Sequence, residues 1–315
     1  MLALIVKRML FIVPNLLLVT LILYGSVFYL LGTPAALMLG EDASQERIED
    51  LNREYGFDRP VLVQYLSWVQ NAARGNLGRS FTTQQRVEDA VLPRLPSSLE
   101  IGFLALVIAA LGATLLNTLQ AAQRSLAPLF VGLSVAGITV PNFMLGISLI
   151  YLFSIKLGWL PTTGWVPWSD GVVSHIVHLI MPVATLSAFY FGSFSLVYRA
   201  EYRDVLRRPF IYVARAKGLP EWRVAFRHAL PNAILPVVTL IGVSMGRLTG
   251  GAVVTETVFS IPGVGRLLVT SILTHDFPVM LALGMIIIAG VMLINLFTDI
   301  LYVVVNPQIR LEGAA

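Results

Sequence analysis

Six long apolar stretches, at about residues 9–31, 99–119, 126–153, 176–197, 233–258 and 279–305, alternate with polar segments along this chain. Each reaches the ~20 residues that carry an α-helix across a bilayer. The pattern predicts an all-α, polytopic membrane helix bundle with six transmembrane helices, whose even number puts both termini on one side. Two polar segments are long, about 32–98 and about 199–232, and the rest are short.

The basic residues set the orientation. Outside the first long segment, the side shared by the termini holds Lys7, Arg8, Arg124, Arg310 and eight Lys or Arg between 199 and 227; the other side holds Lys156 and Arg266. Cytoplasmic loops carry the excess of Lys and Arg, so both termini are expected in the cytoplasm. Segment 32–98, with seven Arg and nine acids, becomes a long first periplasmic loop, since long loops cross regardless of charge. Its Ile48, Leu51 and Tyr55, then Leu62, Tyr65, Leu66 and Val69, recur at helical spacing. That predicts a small ordered cap with a turn at Gly75-Asn76-Leu77-Gly78; an irregular loop is the alternative. The first apolar run is too long for a signal-peptide core, so an uncleaved helix is expected despite the faint cleavage-like Gly32-Thr33-Pro34-Ala35-Ala36.

Prolines fall inside several spans, at Pro14, Pro141, Pro182 and Pro236. Kinks at Pro141 and Pro236 would let the bundle rearrange, although proline is also simply commoner in membrane helices.

Composition agrees with this reading: 56% of residues are hydrophobic and 13% charged, against about 25% charged in soluble domains. The net charge of +4 sits in loops on one side, which fits topology and gives no reason to expect a nucleic-acid partner. With no cysteine, disulfides and thiolate metal sites are excluded.

The 199–232 segment is organised. Pro209 suits the first position of a helix, and Val205, Pro209, Val213 and Leu206, Phe210, Ala214 stand four apart. Gly218 suits the left-handed position past a helix end, with Arg215 and Lys217 complementing the last carbonyls. Pro220 can begin a second helix with Glu221 in its first turn and Trp222, Ala225, Phe226 and Ala229 on one face. A stiff helix–glycine–helix element of this kind lies on lipid headgroups or docks on a protein. The small Ala214, Ala216 and Gly218 favour a protein.

Ala214-Arg215-Ala216-Lys217-Gly218-Leu219 followed by Arg227-His228-Ala229-Leu230-Pro231-Asn232 resembles the coupling loop of ABC importer permeases, in the form used by the dipeptide/oligopeptide/nickel subgroup. The general signature's leading Glu-Ala is replaced here by Tyr212-Val213, and its Ile by His228. Other stretches resemble that subgroup's first permease subunit: Asp58-Arg59-Pro60, Gly75 to Ser80, Pro93 to Glu100, Pro141-Asn142-Phe143, Leu157 to Pro161, Glu256 to Arg266, and Asn306-Pro307-Gln308-Ile309-Arg310. The resemblance covers nearly the whole chain. It implies one permease domain over 1–315 in a bacterial cytoplasmic (inner) membrane, multi-pass and bathed in lipid. The partners it implies are a second homologous permease, two ATP-binding subunits carrying ATP and Mg, and a periplasmic or extracellular substrate-binding protein. Tyr212, Val213, Ala214, Arg215, Ala216, Lys217, Gly218 and Leu219 would couple to an ATPase, and a peptide or similar small solute would be imported.

The chain has no G-x-x-x-x-G-K-[ST] loop, so no cofactor is expected on it and it is not expected to be an enzyme. His175 and His178 share a helical face beside Asp170, but interfacial histidines bonding headgroups or backbone are the ordinary reading, and no metal site is assigned. Arg247, Glu256 and Asp299 are charges in or near spans, which line a pathway or make polar contacts between helices. For the translocation path the candidates are Pro141, Gly242, Gly246, Arg247 and Gly250; the glycines share one face, where small residues admit close approach. Alternatively that face only packs against a neighbouring span. Two other functions compete: a secondary transporter driven by an ion gradient, for which Glu256 and Asp299 would be the coupling acids, and a non-transporting scaffold.

Overall fold

In the computed structural model the described residues are 2–31, 35, 44–122 and 127–305. Among them the regular elements are helical, with one isolated antiparallel bridge between Arg79 and Arg86. The helices are α1 (Leu2–Leu31), α2 (Gln45–Tyr55), α3 (Val61–Ala73), α4 (Val87–Val91), α5 (Leu95–Ala122) and α6 (Ala127–Thr139). They continue with α7 (Asn142–Lys156), α8 (Val172–Leu206), α9 (Pro209–Ala216), α10 (Glu221–Ala233), α11 (Leu235–Val258), α12 (Val264–Leu273) and α13 (Phe277–Val305). Residues 32–34 and 36 of the cleavage-like stretch, Arg124 and the closing 306–310 motif lie outside the described residues.

Four of these helices are long and apolar enough to cross a membrane, and six spans result if each of two bent pairs counts as one. The third apolar stretch is not the single kinked helix expected. It breaks into α6 and α7 at an angle of 112°. Pro141 caps α7 with ψ 136°, and a proline disfavours the helical conformation in the residue before it, so α6 stops rather than bends. At Pro236 the effect is milder, a 46° bend between α10 and α11. Pro14 and Pro182 lie inside α1 and α8 without ending either helix.

The chain divides into two compact units, Met1–Pro96 with Pro262–Leu296, and Ser97–Ile261 with Phe297–Ala315. In the first, the expected cap is ordered. Gly56, Gly75 and Gly78 take positive φ, and Gly56 closes α2 in the left-handed conformation. Val87 and Val91 of α4 are fully buried with Val264, Val279, Ala282 and Leu283. Tyr24 of α1 forms an aromatic cluster with Tyr65, Trp68 and Phe277. The carboxylate of Asp276, itself buried, accepts hydrogen bonds from Ser80 Oγ, from Thr82 Oγ1 at 2.7 Å and from the Phe81 N–H at 3.0 Å. One acid just ahead of α13 thereby fixes a turn almost two hundred positions earlier in the chain.

In the second unit the core runs along α8 and takes in Phe194, Tyr198 and Val205. Between lipid-embedded helices burial from water supplies little, and close backbone packing supplies more. A methyl group on Gly137 of α6 would stand 2.3 Å from the Ala188 carbonyl oxygen, and one on Gly192 of α8 would stand 2.4 Å from that of Ser134. The two backbones touch where neither residue has a side chain. Of the acids in or near the apolar stretches, Glu256 is buried and accepts a 2.6 Å bond from Ser98 Oγ, a polar contact between α11 and α5.

Candidate functional site

α8 does not end with its apolar stretch. It runs 35 residues, to Leu206, so Arg199, Glu201, Arg203 and Asp204, expected in the loop, are helical. Arg208 is extended and Pro209 occupies the first turn of α9, where its missing N–H forfeits no bond. Gly218 follows with φ 75°. Its N–H donates to the Arg215 carbonyl at 2.9 Å, and the Leu219 N–H donates to the Ala214 carbonyl at 3.3 Å. These bonds satisfy carbonyls that a helix end would leave open.

The side chains then sort by depth. Ile211 and Ala214 are buried in the α8 core with Tyr202, Val205, Val224 and Ala229. Phe210, Tyr212 and Val213 are exposed, as are Arg215, Ala216, Lys217 and Gly218, while Leu219 is half-buried. Of the two expected stripes, Val205 and Ala214 are buried and Leu206 packs on the core, while Pro209, Phe210 and Val213 are exposed; Ile211 completes the buried face. Pro220 caps α10 rather than starting it, and α10 widens into π-helical turns over Val224–Ala229. The widening rotates the face, so Val224, Ala225 and Ala229 go inward and Trp222 stays 60% exposed.

Arg215 differs from expectation. Its guanidinium forms a two-pronged pair with the Glu221 carboxylate, Nε to Oε1 at 2.8 Å and Nη2 to Oε2 at 3.1 Å. That hydrogen bonding holds Arg215 above its ordinary, already high, pKa. The pair ties the end of α9 to the start of α10 across Gly218. The result is a stiff projection with an apolar, small-residue tip of Tyr212, Val213, Ala216 and Gly218, carrying Lys217 and Trp222. Exposed Arg203, Arg207, Arg208, Arg223 and Arg227 stand on the same 199–232 element.

The pathway candidates differ in burial where their surroundings are described. Pro141 is exposed at the α6–α7 break. Gly242 is buried, and a methyl group there would lie 2.1 Å from Thr298 Cγ2, so this point of the glycine face packs against α13. Gly246 is half-buried on α11. The surroundings of Gly250 and the side chains of Arg247 and Asp299 lie outside what is described.

His175, expected to bond headgroups or backbone, is buried and bonds backbone. Nδ1 meets the Val166 carbonyl, Nε2 lies 3.0 Å from Glu100 Oε1, and the ring stacks on Trp168 at 3.9 Å. Trp168 Nε1 donates to the same Glu100 oxygen at 3.0 Å. His178 is exposed and bonds the Ser174 carbonyl. No group of three or more His, Cys, Asp or Glu among the described residues could hold a metal. Neither the Asp276 junction nor the Glu100–His175 contact was anticipated, because only the fold brings those partners together.

Residues 107–311 match the family described as binding-protein-dependent transport system inner membrane component, and residues 1–102 match that family's N-terminal model. A Brucella abortus (strain 2308) protein, provisionally named a peptide transport system permease protein, is 36% identical over 99% of this chain and 100% of its own length. The glutathione transport system permease protein GsiC of Escherichia coli K12 is 36% identical over 98% of this chain and 99% of its own. A crystal structure of an amino acid ABC transporter with histidines covers 68% of this chain and 92% of that one, with a TM-score of 0.49 and 17% identity.

Proposed function

Because the chain belongs to the binding-protein-dependent transport system inner membrane component family, we propose that its 209–231 loop seats Tyr212–Leu219 in an ATPase subunit and couples ATP hydrolysis to peptide import. The chain is a membrane permease subunit of an ABC importer and not an enzyme; ATP is hydrolysed on separate subunits. As in the family generally, partner ATPases, a second permease and a substrate-binding protein complete the transporter. In this reading six spans place both termini and the projection in the cytoplasm, ATP and Mg bind the partner subunits, and the membrane is the bacterial inner membrane. Peptides, or a small peptide such as glutathione, are the solute class, in keeping with the names of the relatives. The path candidates Pro141, Gly242, Gly246, Arg247 and Gly250 keep that role here, with Gly242 serving also as the contact with Thr298.

One observation carries this reading. Tyr212, Val213, Ala216 and Gly218 are exposed beside buried Ile211 and Ala214, and Gly218 has a positive φ. Nothing lies within 4 Å of where a Gly218 side chain would go. The first side-chain carbon of Gly218→Val therefore enters open space, and the substitution acts through backbone strain and through bulk toward a partner. The expected outcome in proteoliposomes is an assembled transporter whose ATP hydrolysis no longer drives uptake. Wild-type uptake with wild-type substrate-stimulated ATPase activity would overturn the proposal.

A further inference from the structure

We infer that α3, in the segment between the first two spans, lies in the plane of the bilayer and sets an apolar stripe among lipid acyl chains. The inference rests on α1 and α13 being membrane spans.

The depth comes from two contacts. Tyr65 donates to the Leu17 carbonyl at 2.6 Å and its hydroxyl lies 2.8 Å from Thr20 Oγ1. Leu17 and Thr20 stand inside the apolar window Leu10–Val27 of α1, so the Tyr65 side chain extends from α3 to the hydrocarbon depth of the first span. Tyr24, which donates to Gln64 at 3.1 Å, also packs on Phe277, the first residue of α13. Two spans thus put Trp68 and Gln64 close to the level where hydrocarbon begins.

The sequence fits that level. From Val61 to Ala73 there is no charged residue, while Asp58 and Arg59 precede the helix and Arg74 follows it. Thirteen residues make a rod of about 20 Å, too short to cross about 30 Å of hydrocarbon. With a charge at each end, the rod satisfies both only by lying along the boundary. Its outward surface is divided accordingly: exposed Leu62, Leu66 and Ala73, with half-buried Val69 between, form a stripe at helical spacing, and Val63, Ser67, Gln70 and Asn71 line the adjoining strip. Leu62 and Leu66 are 56% and 57% exposed, as open as Leu18 and Ile22 on the spanning helix beside them. The acyl chains that cover α1 at this depth cover α3 as well, in the manner of an interfacial amphipathic helix.

The absence of native cysteine gives a direct test. Single spin labels are placed at Leu62→Cys and Leu66→Cys in the assembled transporter in liposomes. Reference labels go at Glu49→Cys on charged α2, at Asn71→Cys on the polar strip, and at Leu18→Cys on α1. Collision with oxygen, which concentrates in hydrocarbon, is compared with collision with a water-soluble nickel chelate. The oxygen-to-chelate ratio at 62 and 66 should resemble that at 18 and exceed that at 49 by about tenfold, with 71 in between. Chelate access at 62 and 66, with 18 still shielded, would overturn the inference. Labels at 62 and 66 that neither probe reaches would overturn it too, by showing a protein cover. Chelate access at 18 would instead remove the premise that α1 spans.

Discussion

The α6–α8 crossing and the α9–α10 projection both depend on glycine, for opposite reasons. At the crossing, Gly137 and Gly192 matter for the side chain they lack: two backbones meet at distances that exclude a methyl group. At the projection, Gly218 matters for the φ of 75° it adopts, with open space around it. The first use builds the bundle, and the second shapes a surface that the bundle displays. Substitutions should accordingly separate assembly from coupling.

The largest effect is expected at the crossing. Gly137→Leu forces α6 away from α8 and should destabilise the chain by about 3 kcal/mol or more, seen as loss of monodisperse protein in detergent and of every transport activity together. Next comes Asp276→Ala, which leaves three donors of the 80–82 turn without their acceptor. A cost of about 2 kcal/mol is expected, together with faster protease cleavage around residues 74–86 and little change at the projection. Gly218→Ala should cost only about 1–2 kcal/mol, the strain of a left-handed non-glycine residue, with thermal stability in detergent barely altered while coupling falls. Were Gly218→Ala to unfold the chain as Gly137→Leu does, the distinction between the two uses of glycine would fail. The smallest effect is expected for Arg215→Ala. A solvent-screened pair is worth under about 1 kcal/mol, and a cycle with Glu221→Ala should return a coupling energy in that range.

The projection was largely legible in the sequence because its determinants are local. Pro209 and Gly218 act within a turn of their own positions, and both stand where their chemistry places them. Pro220 falls one residue from its expected role. Face assignments were less secure: the π-helical turns at Val224–Ala229 rotate α10, and no residue pattern announces them. The α6–α7 break shows a second limit, since a proline in an apolar run permits a bend or a stop and neighbouring helices decide which. The crossing and the two carboxylate junctions lay beyond reach. Gly137 meets Ala188, Glu100 meets His175, and Ser80 meets Asp276 only after the chain has folded. The membrane character of the chain needed only composition and run length, and the four to six apolar helices agree with it.

The uninterrupted length of α8 has a mechanical consequence. Gly192 is clamped against α6, and Tyr202 and Val205, ten and thirteen residues away, seat the projection. From Gly192 the helix extends about 21 Å to Leu206 and about 30 Å the other way to Val172. A stiff rod that pivots at its closest backbone contact acts as a lever, and pivoting at Gly192 would give arms that differ by a factor of about 1.4. A sideways push of about 2 Å at the seat reappears as about 3 Å of opposite travel at the far end. With such a pivot the glycine contact would be the fulcrum, and its tightness would set how faithfully a stroke at one end becomes a stroke at the other.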